Sequence, residues 1–408
     1  MSSIVDGCKE HFKTQADMQY GVLPHGTTVP VSRFKASMSP EALEELHLLV
    51  RSAKIAPVTY ENDLGDEKFG ISRSFLVQAK AAWAEYDWRK SEEYINKYPN
   101  FKASLAYENH DYDVHFVGLF SKNQNARPLL LLHGWPGSFL EFLPIADLFK
   151  RQYSEENLPY HIIIPSLPGY AFSSGPAVTT DFSLDDVSKI IHSLMDGLKL
   201  GTSYLIHAGD VGSQVALRLA NSSSAVKAVH LTNGISSKPD DADETYTQQE
   251  VEGLQRVAEF SRSGTGYAIE QSTKPATIGL VLATNPLALL AWIGEKYQDW
   301  TDTTPPLITI LETATLYWLT DTLPRSLYPY RDLFSGSNNS FGTQGGNKTT
   351  PFGISWFPKE PAPFPRSWFV GQLHVTFFRH HDKGGHFAGL EQPEVLKKDL
   401  EDFFSQIQ

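Results

Sequence analysis

An aspartate occupies the position where this sequence predicts an exposed nucleophile. Residues 203–208 form a short apolar run, SYLIHA, and Gly209 and Asp210 separate it from an amphipathic stretch. This order predicts a strand, a sharp turn and a helix, the arrangement that presents a nucleophilic side chain. Small residues such as Gly209 and Gly212 leave room for so strained a turn. Because a carboxylate nucleophile forms an ester with an alkyl carbon, it suits epoxides or alkyl halides rather than esters and amides.

A turn rich in glycine and proline follows the apolar run 129–132. Its sequence is HGWPGS at 133–138. Such a turn after a buried strand presents backbone N–H groups at the carboxyl edge of a sheet, where ligands bind. The Trp135 N–H and the Val211 N–H are therefore predicted to form an oxyanion hole. The plain alternative is a tight turn with a stacked tryptophan.

The predicted base is His386, in the sequence GGHFA at 384–388. It follows the last predicted strand on a glycine pair that frees the loop. This position fits a triad in which nucleophile, acid and histidine follow one another along the chain. The chain has 14 histidines, and most are expected to be structural or solvated. His380 and His381 lie nearer the strand and are expected to be structural.

Two carboxylates compete to orient this histidine. Glu360 follows the predicted strand 352–357, whereas Asp382 would have to share the histidine's own loop. Glu360 is favoured because an acid on a separate loop can hold the imidazole and stabilise its protonated form. The alternative for Glu360 is a solvated carboxylate beside Lys359.

Opening an epoxide leaves an alkoxide, so a donor must face the ring oxygen. Tyrosine suits this role because its phenol stays protonated at neutral pH. The residues by themselves do not select among the candidates, and each is a packing residue in the alternative interpretation. They are Tyr246, Tyr267, Tyr297, Tyr317, Tyr328 and Tyr330.

The pattern along the chain predicts an α/β protein with a mostly parallel sheet covered by helices on both faces. Helices are expected to begin near Gly137, Ser183 and Gly212, and a final helix is expected over 393–407. The predicted strands are 129–132, 160–165, 204–207, 226–231, 352–357 and 374–378.

Four regions are expected in the order of the chain. Residues 1–126 are expected to form an N-terminal meander that wraps the core, with helices over 39–53 and 72–86. Residues 127–233 and 348–408 are expected to form the two parts of the sheet. Between them, residues 234–347 are expected to form a helical lid that interrupts the sheet and closes in turns over 335–347.

The composition excludes several classes of partner. A net charge of −12 argues against nucleic-acid binding and offers no basic segment for an anionic membrane. Residues 1–30 lack an apolar signal region, and no apolar run approaches the length of a membrane span. The single cysteine, Cys8, allows no internal disulfide, which favours a reducing compartment such as the cytoplasm.

Over nearly its whole length the chain resembles the epoxide hydrolases of the α/β-hydrolase fold, in the soluble fungal form of the microsomal-type branch. The motifs that carry the resemblance are HGWPGS at 133–138, SLPGYAFSSG at 166–175, GDVGS at 209–213, YAIEQSTKPATIG at 267–279, LLAWIGEKY at 289–297, YWLT at 317–320, PFPRSW at 363–368 and GGHFAGLE at 384–391.

The resemblance implies the conversion of an epoxide and water into a vicinal diol, without metal or organic cofactor. It places the nucleophile at Asp210, the base at His386 and the charge-relay acid at Glu360, and the two lid tyrosines at Tyr267 and Tyr330. It also implies a helical cap, an N-terminal meander, no membrane anchor and a homodimer, which is frequent among fungal members.

Three other functions remain as alternatives. A haloalkane dehalogenase would share the aspartate and histidine, with Trp135 as a halide donor. A biosynthetic enzyme would open one particular epoxide, in contrast to a broad detoxifying hydrolase. A receptor or scaffold of the same fold would not need an intact triad, and here every member is present.

Overall fold

The computed structural model describes residues 19–63, 69–234, 238–240, 243–333 and 348–407. The strands within these ranges are β1 (Val31–Phe34), β2 (Asn100–Tyr107), β3 (His110–Leu119), β4 (Arg127–Leu132), β5 (Tyr160–Pro165), β6 (Tyr204–Ala208), β7 (Val226–Leu231), β8 (Pro351–Trp356) and β9 (His374–His380). They form one sheet in the order β1-β2-β3-β5-β4-β6-β7-β8-β9.

The parallel part of the sheet runs from β5 through β9 and confirms the predicted α/β fold. Every residue of β6 is buried, because helices cover both faces and leave no polar face for water. The chain proceeds from β4 to β5 on one side and places β6 on the other. Such a reversal of strand order opens a crevice at the carboxyl ends of β4 and β6, where ligands bind in this class of sheet.

The helices lie between and around these strands. They are α1 (Pro40–Ser52), α2 (Tyr60–Asp63), α3 (Arg73–Trp83), α4 (Trp88–Ile95), α5 (Leu143–Gln152), α6 (Leu184–Gly197), α7 (Asp210–Ser222), α8 (Gln248–Glu259), α9 (Gly266–Thr273), α10 (Pro275–Leu282), α11 (Pro286–Asp299), α12 (Leu307–Leu319), α13 (Thr322–Arg325), α14 (Tyr328–Leu333), α15 (Arg366–Gln372), α16 (Ala388–Glu391) and α17 (Pro393–Phe404).

The helix starts follow the local capping chemistry. Ser183 caps α6 in a reciprocal capping box with Asp186, as expected for a helix that begins there. The helix predicted near Gly137 starts later, because Ser138 first caps a short 3-10 turn, Phe139–Phe142, and α5 begins only at Leu143. This turn brings the side chain of Glu141 toward the nucleophile, as described below.

Three antiparallel strands of the N-terminal region, β1 to β3, extend the sheet beyond β5. The sequence analysis predicted only helices there, since the charged residues of β2 and β3 interrupt the apolar pattern. Helices α1 and α3 begin after the caps Ser39 and Ser72, as predicted. Both pack against α11 and α12, and the Trp83 indole donates to Thr315 Oγ1 at 2.8 Å in this buried contact.

The cap consists of α8 to α14, inserted between β7 and β8. Helices α9 and α14 pack against each other, as do α11 and α12. The turn-rich segment predicted over 335–347 lies outside the described residues. In the described ranges no single helix has the length and apolarity to cross a bilayer; α10 and α11 meet that test only together, across a bend of 116°.

Candidate active site

Asp210 stands in the sharp turn between β6 and α7, as the first residue of the helix. Its φ of +50° lies in the left-handed region, which costs a residue with a side chain ~1–2 kcal/mol. The Asp210 N–H donates to Asn233 Oδ1 at 2.7 Å and so stabilises this conformation. Gly212 is needed beside it, because a Cβ there would lie 2.4 Å from the Leu132 carbonyl oxygen. The turn therefore presents the carboxylate at the carboxyl edge of the sheet.

Two backbone N–H groups bind the Asp210 carboxylate. The Trp135 N–H donates to Oδ1 at 2.8 Å, and the Val211 N–H also donates to the carboxylate. Close approach requires Gly134, since a Cβ there would lie 2.3 Å from Oδ1. Burial raises the pKa of Asp210, although the charge of His386 and these two hydrogen bonds act in the opposite direction. The structure thus brings both N–H groups of the predicted oxyanion hole to one carboxylate.

His386 and Glu360 meet beside the Asp210 carboxylate. The Nδ1 atom of His386 lies 2.9 Å from Glu360 Oε1 and 3.1 Å from Oε2, and Nε2 lies 3.6 Å from Asp210 Oδ2. The loop that carries the histidine is fixed because the His386 N–H donates to the Trp300 carbonyl at 2.8 Å. Burial lowers the pKa of His386, but the charge of Glu360, their hydrogen bond and the charge of Asp210 outweigh it and raise the pKa to about 9.

The alternative acid and the two neighbouring histidines have other partners. Asp382 is exposed and accepts a hydrogen bond from Gln249 Nε2 at 3.0 Å. His381 pairs with Asp399 at 2.6 Å, and His380 lies 3.7 Å from Glu250. Of the two candidate acids, only Glu360 therefore contacts His386.

Asn233 connects Asp210 to Glu360, and no motif in the sequence indicated it. Its Oδ1 accepts from the Asp210 N–H and, at 3.0 Å, from the Ser213 hydroxyl, while its Nδ2 donates to Glu360 Oε1 at 3.0 Å. It is the second residue after β7, at the same sheet edge, and a polar side chain just beyond the carboxyl end of a buried strand was the signal that could have indicated it.

Tyr267 of α9 and Tyr330 of α14 face each other above the nucleophile turn. Their ring centroids are 5.8 Å apart, and they lie 5.3 and 5.6 Å from the Trp135 ring. Burial raises the pKa of both phenols, and the charge of Asp210 adds to the increase. Both groups therefore remain protonated donors at neutral pH.

The Tyr267 and Tyr330 hydroxyls pair with each other, whereas the hydroxyl groups of the other lid tyrosines are bound to partners outside this pair. The Tyr317 and Tyr328 hydroxyls donate to the carbonyls of Gly137 and Pro168 at 2.8 and 2.9 Å. The Tyr297 hydroxyl pairs with Thr313 at 3.1 Å, and the Tyr246 hydroxyl accepts from the Trp368 indole at 3.3 Å. Packing of α9 on α14 thus distinguishes Tyr267 and Tyr330, which the sequence pattern alone could not do.

Tyr267 is also in contact with a buried cation. Lys296 is only 3% exposed, and its Nζ lies 4.5 Å from the centroid of the Tyr267 ring. The Trp135 ring stacks on Tyr267 with an interplanar angle of 9°. The Lys296 ammonium also pairs with Glu295, whose charge raises the pKa of Tyr267, so the cation over the ring and the carboxylate act on the phenol in opposite directions. Within the described ranges, no group of three or more His, Cys, Asp or Glu side chains is arranged to hold a metal ion.

Known proteins share this arrangement of sheet and cap. The structure of Aspergillus niger epoxide hydrolase matches with a TM-score of 0.89 and 42% sequence identity, over 96% of this chain and 100% of that one. The chain belongs to the epoxide hydrolase family. This epoxide hydrolase is also 39% identical over 391 residues to the "Putative epoxide hydrolase" of Dothistroma septosporum, a match that covers 94% of this chain and 92% of that protein.

A more distant relative and two family models support membership of the same family. Epoxide hydrolase 1 of Sus scrofa is 28% identical over 420 residues, which cover 92% of this chain and 88% of that protein. Residues 31–142 match the family model described as epoxide hydrolase N terminus, and residues 127–266 match the alpha/beta hydrolase fold. This epoxide hydrolase is therefore an enzyme of the α/β-hydrolase fold, and an epoxide and water fit it as substrates.

Proposed function

We propose that this enzyme opens an epoxide to a vicinal diol through a covalent ester on Asp210. One observation supports this most strongly. The Trp135 N–H binds the Asp210 carboxylate at Oδ1, while Oδ2 faces an imidazole 3.6 Å away whose other nitrogen is bound to Glu360. A nucleophile, an oxyanion hole and a base oriented by an acid are the parts that ester formation and ester hydrolysis require.

In the first step an Asp210 oxygen attacks one ring carbon of the epoxide from the face opposite the ring oxygen. The carbon–oxygen bond of the ring breaks, and the ring oxygen takes a proton from Tyr267 or Tyr330. The cation of Lys296 over the Tyr267 ring favours the phenolate that this transfer leaves. The product of the step is an alkyl ester of Asp210.

In the second step water attacks the Asp210 carboxyl carbon, and His386 takes the proton. Esterification removes the Asp210 charge, which is one cause of the raised pKa of His386. The pKa therefore falls when the ester forms, the proton that His386 releases restores the tyrosine, and the neutral imidazole can act as a base. The Trp135 and Val211 N–H groups hold the tetrahedral oxyanion. When it collapses, His386 returns the proton to the departing diol, and the proton of the new carboxyl group passes back to His386.

The test of this mechanism is the transfer of heavy oxygen into the protein. After turnover of racemic styrene oxide in ¹⁸O-water, mass spectrometry of the peptide that contains Asp210 should show label in its carboxylate. An Asp210→Ala variant should be inactive and unlabelled; Asp210→Asn is a poorer control, because hydrolysis of the amide regenerates the aspartate. Active enzyme without label in Asp210 contradicts the ester mechanism.

Haloalkane hydrolysis is the second candidate, because the Trp135 Nε1 is buried without a hydrogen-bond partner among the described residues. An indole N–H of this kind could bind a leaving halide. The paired tyrosines favour the epoxide, whose oxygen must be protonated. Halide release from a panel of chloroalkanes decides between them, and no release is the expected result.

The choice between a broad detoxifying enzyme and one that opens a single biosynthetic epoxide requires a substrate screen with styrene oxide, aliphatic epoxides and a fatty-acid epoxide. Comparable activity across the panel supports detoxification.

The lone Cys8 supports the proposed cytoplasmic location. A homodimer and the absence of membrane binding are further predictions, which light scattering and fractionation can test.

A further inference from the structure

A small cavity lies against the nucleophile on the side of the base. Its volume is about 10 Å³, and its lining includes Asp210, His386, Gly137 and Glu141. One water molecule needs roughly 10–15 Å³ and two or more polar partners. The cavity therefore has the size and the polar groups to hold a single water. Neither Tyr267 nor Tyr330 lines it, so an epoxide bound to the tyrosines leaves this space free.

Glu141 is the one ionisable residue of this lining to which the ester mechanism gives no role. It lies in the 3-10 turn after the HGWPGS motif, and its backbone N–H is fixed to the Ser138 carbonyl at 3.1 Å. Gly137 makes room for the side chain, since a Cβ there would lie 2.9 Å from Glu141 Oε2. Among the described residues none forms a hydrogen bond with the Glu141 carboxyl group. Its oxygens are therefore available to a water in the cavity.

The carboxyl group of Glu141 is suited to bind a neutral molecule. Burial raises its pKa to about 8; the charge of His386 opposes this change, while the charges of Asp210 and Glu360 add to it. At neutral pH the group is therefore mostly protonated and can both donate and accept. An ionised group here would instead repel the Asp210 carboxylate.

A second cavity of about 190 Å³ lies on the other side of Glu141. Its lining includes Tyr94, Tyr297, Glu312 and Thr313 in addition to Glu141. These side chains come from the N-terminal region and the cap, and they carry polar groups that water can bind. Glu141 therefore lines both cavities and stands between them.

We propose, on the basis of the ester mechanism above, that Glu141 is a positioning residue that holds the hydrolytic water between the Asp210 carboxyl carbon and His386 Nε2. The larger cavity supplies the next water after each turnover. Water thus reaches the ester from the side opposite the tyrosines, without crossing the space that the substrate occupies. The proton still passes to His386, and Glu141 undergoes no net chemical change.

The test separates ester formation from ester hydrolysis. Excess enzyme is mixed with styrene oxide, the reaction is quenched at intervals, and the alkylated protein is counted by intact-protein mass spectrometry. Glu141→Met keeps the length of the side chain without its hydrogen bonds, and Glu141→Gln keeps a donor and an acceptor. We expect Glu141→Met to slow hydrolysis by about tenfold or more, to leave alkylation within about threefold, and so to accumulate ester. Glu141→Gln should hydrolyse the ester within about threefold of the wild-type rate.

Other outcomes overturn the inference. Hydrolysis by Glu141→Met at the wild-type rate means that the side chain does not hold the water. Equal loss of alkylation and hydrolysis, with a lower melting temperature, means a structural role. A Glu141→Gln enzyme as slow as Glu141→Met excludes hydrogen bonding as the cause. His386→Gln tests the mechanism separately: if it accumulates ester while Glu141→Met does not, only the role of Glu141 fails, and if no variant accumulates ester, the Asp210 mechanism itself fails.

Discussion

Replacement of Glu360 by glutamine removes a charge from the site while it preserves most of its hydrogen bonds. Glu360 Oε1 accepts from both His386 Nδ1 at 2.9 Å and Asn233 Nδ2 at 3.0 Å. A glutamine whose carbonyl oxygen occupies the Oε1 position keeps both contacts. Its amide nitrogen then replaces Oε2, which is the more distant acceptor from His386 at 3.1 Å. The substitution therefore tests what the carboxylate charge contributes to the base.

The magnitude follows from the pKa of His386. The charge of Glu360 and its hydrogen bond are the largest of the causes that raise this pKa to about 9. A hydrogen bond to a charged partner contributes roughly 1–1.5 kcal/mol more than a neutral one, which corresponds to about one pH unit. Because the carboxylate favours the protonated imidazole, its loss lowers the pKa. The acid limb of ester hydrolysis should move to lower pH by about that amount, and the plateau rate should fall by roughly tenfold because the base is weaker.

The assay is single-turnover hydrolysis of the Asp210 ester, followed by quenched flow across the range in which histidine titrates. Asp382→Asn is the matched control, since it removes a nearby exposed carboxylate that contacts Gln249 instead of His386. It should leave the profile unchanged. An acid limb that stays at the wild-type pH in Glu360→Gln, or moves to higher pH, refutes the electrostatic argument.

Two further substitutions test the surroundings of the site. Lys296→Met removes the cation 4.5 Å from the Tyr267 ring; because a cation stabilises a developing phenolate more than a neutral phenol, its loss should slow alkylation by roughly 5- to 30-fold, or ~1–2 kcal/mol, and leave ester hydrolysis unchanged. An equal effect on both steps in the same single-turnover assay would contradict this assignment. Asn233→Ala leaves the Asp210 N–H without its partner at 2.7 Å and should lower the free energy of unfolding by about 1–3 kcal/mol. Urea denaturation measures the change, with the exposed Asn221→Ala as control, and equal stability of the two variants would count against the role of Asn233.

The parts of the site that depend on short motifs could be predicted from the sequence. A strand, a small-residue turn and a helix specify where Asp210 stands, because the steric limits of such a turn are local. The GGH sequence after the last strand indicated His386 in the same way. The structure brings these two side chains within 3.6 Å, and their catalytic roles remain predictions.

The parts that depend on side chains from distant elements required the tertiary structure. Selection of Tyr267 and Tyr330 from six candidates depends on the packing of α9 against α14, since periodicity does not reveal which two rings face each other beside Trp135. Glu360 and Asp382 have the same chemistry, and only the loop geometry shows which one contacts His386.

The strands of the sheet likewise differ in whether the sequence alone could predict them. The buried central strands were predictable because burial on both faces requires continuous apolar runs. Strands β2 and β3 carry charged residues among apolar ones, and their place in the sheet comes from pairing with each other and with β5.

Asn233, Lys296 and Glu141 were missed for a related reason: a lone polar residue gains its role from the neighbours that folding brings to it. The sequence by itself determined the nucleophile turn, the loop of the base and the α/β class, because local sterics and burial encode them. The sequence also favoured Glu360, and the resemblance pointed to Tyr267 and Tyr330. Only the tertiary structure shows which of these side chains meet, and which buried polar groups surround Asp210, because those contacts join elements far apart in the chain.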